Sequence, residues 1–202
     1  MGGFFTNTRK PEGLGGRLMV AMMNWGHAPV ARWGRSFLRL KAGATILDLG
    51  CGGGANLAVL LKLCPDGTAV GLDYSSVSVK KASAVNCRAI AEGRCQVIQG
   101  DVQELPFADD QVTAFETIYF WPNLEEAFQQ VFRVLKPGGS FLVCNESNGE
   151  DPKQEKWCDI IGGMTIYTGE RLFELLWAAG FIQVEIHQRE DRNWLCVTAQ
   201  KP

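Results

Sequence analysis

The sequence predicts an α/β fold built on a mostly parallel sheet, because apolar runs of strand length alternate with segments of helical periodicity. The clearest unit starts with the buried-strand pattern of Thr45–Leu49. It continues through a loop with four glycines in five positions and ends in a helical pattern over Ala55–Leu63. The last two strands, Phe181–His187 and Trp194–Gln200, are separated by a charged turn and predict a C-terminal antiparallel hairpin. In all, these patterns predict seven strands with helices on both faces of the sheet.

The remaining elements follow from local signals in chain order. Strands are expected at 69–73, 95–99, 112–120 and 140–145, and helices at 77–91, 124–135 and 169–179. Ser75 or Ser76 caps the first of these helices, and Lys136-Pro137-Gly138-Gly139 ends the second, because proline cannot continue a helix and glycine permits the turn. The segment 146–168 is either a flap over the site or a helix that crosses to the next unit.

The length of 202 residues predicts a single domain over 1–202, because it allows one sizeable core and is short for two. The α/β core is expected at 45–202. Residues 1–40 are expected to form an N-terminal cap with two short helices, around Leu18–Met23 and Arg32–Leu40. The segment Met1–Gly16 is rich in glycine and polar residues, which predicts that it lies on the surface or is partly disordered.

The composition excludes several classes of partner. With 20 basic and 22 acidic side chains there is no excess of positive charge, so nucleic acid is not expected as a substrate. No apolar run has the length of a membrane span or of a signal peptide, which predicts a cytoplasmic protein. The seven cysteines form no Cys-x-x-Cys pair, so we expect reduced thiols and no metal site. The oligomeric state stays open, with a homodimer as one option.

The glycine loop is the strongest indication of function. Glycines let the backbone approach a ligand, and the first free N–H groups of the following helix present partial positive charge. Gly50, Gly52 and Ala55 also fit the dinucleotide pattern G-x-G-x-x-A, so the glycines alone do not separate a nicotinamide cofactor from another nucleotide-like one. Asp48 discriminates, because a buried carboxylate before the first glycine would repel a pyrophosphate but suits an ammonium and a sulfonium group.

A second carboxylate, Asp73, ends the next strand about twenty residues beyond the loop. There it can accept hydrogen bonds from ribose hydroxyls, a geometry that nicotinamide and adenosylmethionine sites share. Tyr74 follows and is expected to pack against an adenine.

The segment Leu-Asp-Leu-Gly-Cys-Gly-Gly-Gly around Asp48 resembles the first motif of class I S-adenosylmethionine-dependent methyltransferases. Arg-Val-Leu-Lys-Pro-Gly-Gly before the fifth strand and Asp-x-x-x-Leu-Pro-Phe after Gly100 are similar to further motifs of this family, in its bacterial small-molecule, type 11-like branch. The resemblance extends from about Thr45 to the end of the chain. It implies a Rossmann-like fold, S-adenosyl-L-methionine as the cofactor, and methyl transfer to a small-molecule O, N, S or C nucleophile, achieved mainly by in-line positioning.

The resemblance also implies the residues that hold the cofactor. In the family, an acidic residue after the third strand accepts from the adenine amino group and the next backbone amide meets the ring, which assigns Asp101 and Val102 to these roles. The full predicted cofactor set is Asp48, Gly50, Cys51, Gly52, Asp73, Tyr74, Asp101, Val102 and Glu116.

The acceptor side is predicted from the fourth strand. Burying Glu116 in a strand costs several kcal/mol unless the carboxylate is paired or faces a pocket, so we expect it to face the site. Family members place this strand end beside the methyl acceptor, and their N-terminal extension covers the pocket. The predicted substrate-binding residues are Asn24, Trp25, His27, Tyr119, Trp121, Trp157 and Tyr167.

A general base is needed only if the acceptor must lose a proton. His27, Glu116 and Tyr119 are the predicted catalytic candidates, and the sequence does not choose between them. For the N-terminal residues, a helical corner stabilised by aromatic packing is an equally good explanation. His187 lies on a late strand far from the cofactor motifs and is expected to be structural.

Two alternatives stay open at this point. A nicotinamide-dependent oxidoreductase would use the same loop and Asp73, although Asp48 and the Lys-Pro-Gly-Gly turn count against it. A protein that binds adenosylmethionine without transferring its methyl group would carry the same cofactor motifs.

Overall fold

The computed structural model describes residues 13–105, 109–189 and 191–202 and contains a single seven-stranded sheet in this part of the chain. The strands are β1 (Thr45–Leu49), β2 (Thr68–Asp73), β3 (Cys95–Gln99), β4 (Asp109–Phe115), β5 (Leu135–Asn145), β6 (Ile182–Arg189) and β7 (Trp194–Gln200). Their order in the sheet is β3-β2-β1-β4-β5-β7-β6.

The sheet is parallel from β3 to β5 and antiparallel at β7 and β6. β1 pairs with β2 on one side and with β4 on the other, so the glycine loop after β1 lies near the centre of the carboxyl edge. β7 inserts antiparallel between β5 and β6. This topology confirms the predicted fold class, a mostly parallel Rossmann-like sheet with a C-terminal antiparallel hairpin.

Eight α-helices and two 3₁₀ turns of the described residues surround the sheet. The α-helices are α1 (Gly13–Gly26), α2 (Ala28–Arg35), α3 (Ala55–Leu63), α4 (Ser76–Val85), α5 (Cys87–Ala91), α6 (Leu124–Val134), α7 (Glu155–Ile161) and α8 (Gly169–Ala178), and a separate 3₁₀ turn spans Ile118–Phe120. A further 3₁₀ turn, Pro152–Gln154, leads directly into α7.

Helices pack on both faces of the sheet, because the apolar side chains of each strand point alternately to one face and to the other. Leu47 and Leu49 of β1 belong to the main core with α6 and α8. Ile46, on the same strand, packs with Leu57 and Leu60 of α3 on the opposite face. Continuous apolar strands such as β1 are typical of parallel sheets that are buried on both sides.

The fourth strand differs from the prediction of 112–120. It begins earlier and ends at Phe115, because Glu116 takes a left-handed backbone conformation with φ 57°. The chain then turns through the 3₁₀ segment Ile118–Phe120, whose buried apolar side chains had suggested a longer strand. An apolar run alone does not reveal a change in the sign of φ.

Other boundaries also differ from expectation. The helix expected at 77–91 divides at Asn86, whose side-chain amide donates to the carbonyls of Gly54 (3.0 Å) and Ala82 (2.9 Å). Residues 13–16 are helical rather than irregular, and the rest of the predicted surface segment, residues 1–12, lies outside the described residues. Pro106 and Phe107 of the Leu-Pro-Phe motif also lie outside them.

The two N-terminal helices lie close to the carboxyl edge of the sheet. Val30 of α2 packs with Leu142 and Cys144 of β5. Gly34 lies so close to Cys144 that an added Cβ would be 2.4 Å from its sulfur. This contact holds α2 against β5, and Arg35 at the end of α2 donates to Asn56, just after the glycine loop.

Candidate cofactor and acceptor site

A cavity of about 380 Å³ opens at the carboxyl ends of β1, β2 and β4. Its floor is the glycine loop, and α1 and α2 close it on one side. Most of the residues predicted from sequence to form the site meet around this cavity: His27, Asp48, Gly50, Cys51, Gly52, Asp73, Tyr74, Asp101, Val102, Glu116 and Trp121.

Four of the other predicted residues do not line the cavity. Trp25 is 85% exposed, and Trp157 is 39% exposed on α7. Tyr167 packs against the main core, and Tyr119 is buried. The side chain of Asn24 lies outside the described part of the structure. The acceptor-binding roles of Trp25, Trp157, Tyr167 and Tyr119 therefore stay predictions without a place in this cavity, and the role of Asn24 stays a prediction.

The glycine loop is folded back over the end of β2. The backbone N–H groups of Gly50 and Cys51 both donate to the carbonyl of Leu72, at 2.8 and 3.0 Å. Gly50 has φ +68°, and a Cβ there would be 2.0 Å from the hydroxyl of Thr117. Gly52 has φ +52° and faces open space within 4 Å, so the loop leaves room for a ligand to approach its backbone.

Asp73 ties this loop to the start of α4. Its two oxygens accept from the backbone N–H groups of Gly52 (2.9 Å) and Ser75 (2.8 Å). Burial raises the pKa of Asp73, and these N–H bonds oppose the rise. Each carboxylate oxygen can accept more than one hydrogen bond, so Asp73 can still bind a pair of ribose hydroxyls.

Asp48 is buried beneath the first glycine, where Thr113 donates to its Oδ1 at 2.6 Å. Burial is the main cause that raises the pKa of Asp48 from 3.8 to about 6. The amide of Asn56 lies 3.5 Å from the same oxygen, and the Arg35 guanidinium in turn donates to the carbonyl oxygen of Asn56. A carboxyl, an amide and a guanidinium thus form a short chain along the wall of the cavity.

Arg35 and Asn56 line the cavity but were not predicted from the sequence. Asn56 stands two positions after the last glycine of the loop, which could have marked it as a pocket residue. No signal separates Arg35 from Arg32 on the same helix, because the side that faces the cavity depends on how α2 packs on β5.

Glu116 marks the other end of the cavity. It is only 8% exposed, and its Oε1 has no hydrogen-bond partner. Burial raises the pKa of Glu116 well above its usual range, and Glu146 raises it further. A positive φ in a residue other than glycine costs of order 1–3 kcal/mol, and such strain is concentrated at functional sites.

His27 lies beside this end of the cavity, at the junction of α1 and α2. Its Nε2 is 3.8 Å from Oε1 of Glu146. Burial lowers the pKa of His27, and Glu146 opposes this shift. His187, by contrast, stacks on Phe37 at 4.0 Å and interacts with Thr198, outside the cavity, as expected for a structural residue.

A family model described as a methyltransferase domain matches residues 47–143, the region that holds the glycine loop, both buried aspartates and Glu116. Just under half of the chain is therefore similar to a methyltransferase domain, which supports the class I S-adenosylmethionine-dependent family. The match supports the predictions of the family, of a methyltransferase enzyme class and of S-adenosylmethionine as the cofactor. It favours these predictions over the nicotinamide-dependent alternative.

Curated and solved proteins resemble the methyltransferase domain to different extents. The chain is 37% identical over 111 residues to botryococcene C-methyltransferase of Botryococcus braunii, a match that covers 54% of this chain and 29% of that protein. The chain therefore spans about three tenths of the length of this relative.

Two solved structures share the fold over most of this chain. A methyltransferase in complex with the Trm112 methyltransferase activator of Haloferax volcanii has a TM-score of 0.83 at 22% identity, covering 91% of this chain and 93% of that one. Human N-acetylserotonin methyltransferase, solved with S-adenosylmethionine, has a TM-score of 0.75 at 18% identity, covering 93% and 56%. At these identities the comparison establishes the fold alone.

Within the described part of the methyltransferase domain and its N-terminal helices, no helix combines the length and the apolar character that a membrane span requires.

Replacing Asp48 by asparagine is expected to change how stability depends on pH. In the folded protein Asp48 keeps its proton up to about pH 6, whereas it loses the proton near pH 3.8 when unfolded. The folded state binds more protons between these values, so ionising Asp48 lowers stability as the pH rises, by about 3 kcal/mol in total. The asparagine variant has no such proton, and the free energy of unfolding of Asp48→Asn relative to the wild type should rise by that amount between about pH 3.5 and about pH 7.

Urea unfolding of both proteins without cofactor at a series of pH values measures this difference. Contributions of groups away from Asp48 cancel in the comparison, and the amide keeps the acceptor for Thr113. A difference that stays constant across this pH range would show that the pKa of Asp48 is not raised.

Proposed function

We propose that this domain transfers the methyl group of S-adenosylmethionine to a small-molecule acceptor. The observation that carries the proposal is the pair of buried carboxyls, Asp48 and Asp73, on either side of a glycine loop that faces open space. Such a site suits a ligand with a ribose, an ammonium group and a sulfonium group, and it disfavours a pyrophosphate.

The residues around the cavity fit the three parts of the cofactor in order. Asp101 and the amide of Val102 would hold the adenine, with Tyr74 against the ring, and Asp73 would accept from the ribose. The methionine part would lie over the glycine loop, with its ammonium near Asp48. This order follows the carboxyl edge of the sheet from β3 to β1, which is where doubly wound sheets bind their ligands.

Arg35 adds a role that the sequence did not suggest. Its guanidinium lies on the cavity wall next to the carboxyl–amide pair of Asp48 and Asn56. We assign it to the carboxylate of the methionine part, because a guanidinium binds a carboxylate through charged hydrogen bonds. The amino-acid end would then have an anion-binding and a cation-binding partner side by side.

The bound cofactor supplies a reactive methyl group, so the chain mainly has to bind, orient and exclude water. α1 and α2 cover the cavity and limit the entry of solvent. His27 and Glu116 are the two predicted catalytic residues that line the cavity and can contact the acceptor. Tyr119 acts as a positioning residue, because its hydroxyl interacts with Glu116 and accepts from the N–H of Ser147 at 3.0 Å.

The walls near Glu116 describe the class of acceptor. They are largely apolar and come from both the N-terminal helices and the turn after β4: Val20, Met23, Ala28, Ala31, Phe115, Phe120, Trp121 and Pro122. We propose an acceptor with an apolar body that packs on these walls and a polar reacting group that points at His27 and Glu116.

Arg35→Met is expected to weaken the binding of S-adenosylhomocysteine by roughly tenfold or more, because a charged hydrogen bond to the amino-acid carboxylate is lost. Methylthioadenosine has the same nucleoside but no amino-acid part, so its affinity should not change. Titration calorimetry with both ligands gives the two values.

Arg32→Met is the matched control for this experiment. Arg32 is exposed on the same helix and does not line the cavity, so neither affinity should move. If Arg35→Met weakens the binding of both ligands equally, Arg35 does not contact the amino-acid part of the cofactor.

Glu116→Gln is expected to lower methyl transfer by at least roughly tenfold while S-adenosylhomocysteine still binds, because the side chain lies at the acceptor end. The assay follows labelled methyl transfer from S-adenosylmethionine to squalene and a sterol as apolar acceptors, and to a catechol and an amine as polar ones. Glu174→Gln, on the exposed face of α8, is the control.

Turnover that survives Glu116→Gln would move the acceptor away from this end of the cavity. Cofactor binding with no transfer to any acceptor class would favour the alternative in which the protein binds adenosylmethionine without catalysis.

A further inference from the structure

Three metal-binding side chains meet beside the acceptor end of the cavity. One ligand atom each from His27, Glu116 and Glu146 lie within 4.8 Å of one another. They come from three separate places in the fold: the junction of α1 and α2, the turn after β4, and the residue after β5. The topology, rather than sequence proximity, brings them together.

The charge of this group is not balanced by the described protein. Glu116 is almost fully buried with its Oε1 unpaired, and the adjacent Glu146 carries a second carboxylate. Among the ion pairs of the described residues, neither glutamate is paired with a lysine or an arginine, and only His27 approaches Glu146. A buried carboxylate is costly without a positive partner.

The group is also accessible to a small ion. The side chains of His27 and Glu146 are 27% and 48% exposed, and His27 and Glu116 line the cavity itself. The Tyr119 hydroxyl and the backbone N–H of Glu146 lie near the Glu116 carboxyl and favour its ionised form. Outer contacts of this kind orient metal ligands in known sites.

We propose that His27, Glu116 and Glu146 bind a divalent cation. One imidazole and two carboxylates form a mixed nitrogen and oxygen set, which suits a first-row transition ion such as Mn²⁺ better than Mg²⁺, which prefers oxygen alone. Three protein ligands leave coordination positions for water or for an acceptor oxygen on the cavity side.

This site is independent of the proposed function, because cation binding needs neither cofactor nor acceptor. If the domain transfers methyl groups, the ion would lie where the reacting group of the acceptor enters. His27 and Glu116 would then act as ligands that position the acceptor through the ion, rather than as proton acceptors.

The test is a titration of the whole metal-free chain with Mn²⁺, followed by electron paramagnetic resonance of the free ion. Mn²⁺ is the probe because the seven cysteines of the chain would bind Zn²⁺ elsewhere. The variants are His27→Gln and Glu146→Gln, whose side chains are partly exposed, so both should fold; circular dichroism checks this.

The matched control is the pair His187→Gln and Glu185→Gln. His187 and Glu185 form a similar histidine–glutamate pair, with Nε2 and Oε2 3.7 Å apart, but without a third ligand in the described structure. The control variants should bind Mn²⁺ as the wild type does.

The expected result is one Mn²⁺ per wild-type chain, with at least roughly tenfold weaker binding in each of the two site variants. No binding by the wild type at millimolar Mn²⁺ overturns the proposal, and so does binding that survives both site substitutions. S-adenosylhomocysteine titrated into the same samples separates the two proposals. If S-adenosylhomocysteine binds and Mn²⁺ does not, the result contradicts the metal site and leaves the proposed methyltransferase function standing.

Discussion

The hydrogen bond from the Gly52 N–H to Asp73 is the contact on which the site depends. Together with the Gly50 and Cys51 bonds to the Leu72 carbonyl, it folds the loop after β1 over the end of β2. The loop then opens directly into α3, so the first N–H groups of that helix face the cavity. Without this anchor, the glycines would be a flexible turn rather than a preformed surface for a ligand.

The second constraint is electrostatic, because three buried carboxyls face one cavity. Asp48, Asp73 and Glu116 are each less than a tenth exposed, and burial raises the pKa of each. Keeping them ionised lowers the stability of the empty protein, and a positively charged ligand offsets that loss. Functional sites typically lower the stability of the protein without its ligand in this way.

The buried carboxyls at the two ends of the cavity have different neighbours. At the loop end, Thr113 and the loop's own N–H groups stabilise the aspartates, and Arg35 lies nearby. At the acceptor end, Glu116 has an unpaired oxygen and Glu146 as a neighbour of like charge. The proposed cofactor supplies positive charge to the first end, and the proposed cation supplies it to the second.

The sequence predicted the parts of the fold that depend on local patterns. β1, α3, β3 and β7 begin and end at the expected residues, because glycines or turns flank each apolar run. The end of β4 was wrong, since the left-handed backbone of Glu116 leaves no trace in hydropathy.

The site residues that depend on local patterns were also predicted better than those that depend on packing. Motif residues on the strand ends, such as Asp73 and Asp101, line the cavity as predicted because the parallel sheet brings strand ends together. The assignments in the N-terminal helices were only partly correct, since the direction of each side chain depends on how α1 packs on α4 and α2 on β5. His27 therefore faces the cavity while Trp25, two positions earlier, is exposed to solvent.

The most direct test of the proposed cofactor site is titration calorimetry of the purified protein with S-adenosylmethionine, S-adenosylhomocysteine and NAD in parallel. We expect binding of the first two and none of NAD, because buried Asp48 repels a pyrophosphate. Preferential binding of NAD would contradict it, and would mean that the glycine loop and Asp73 bind a dinucleotide.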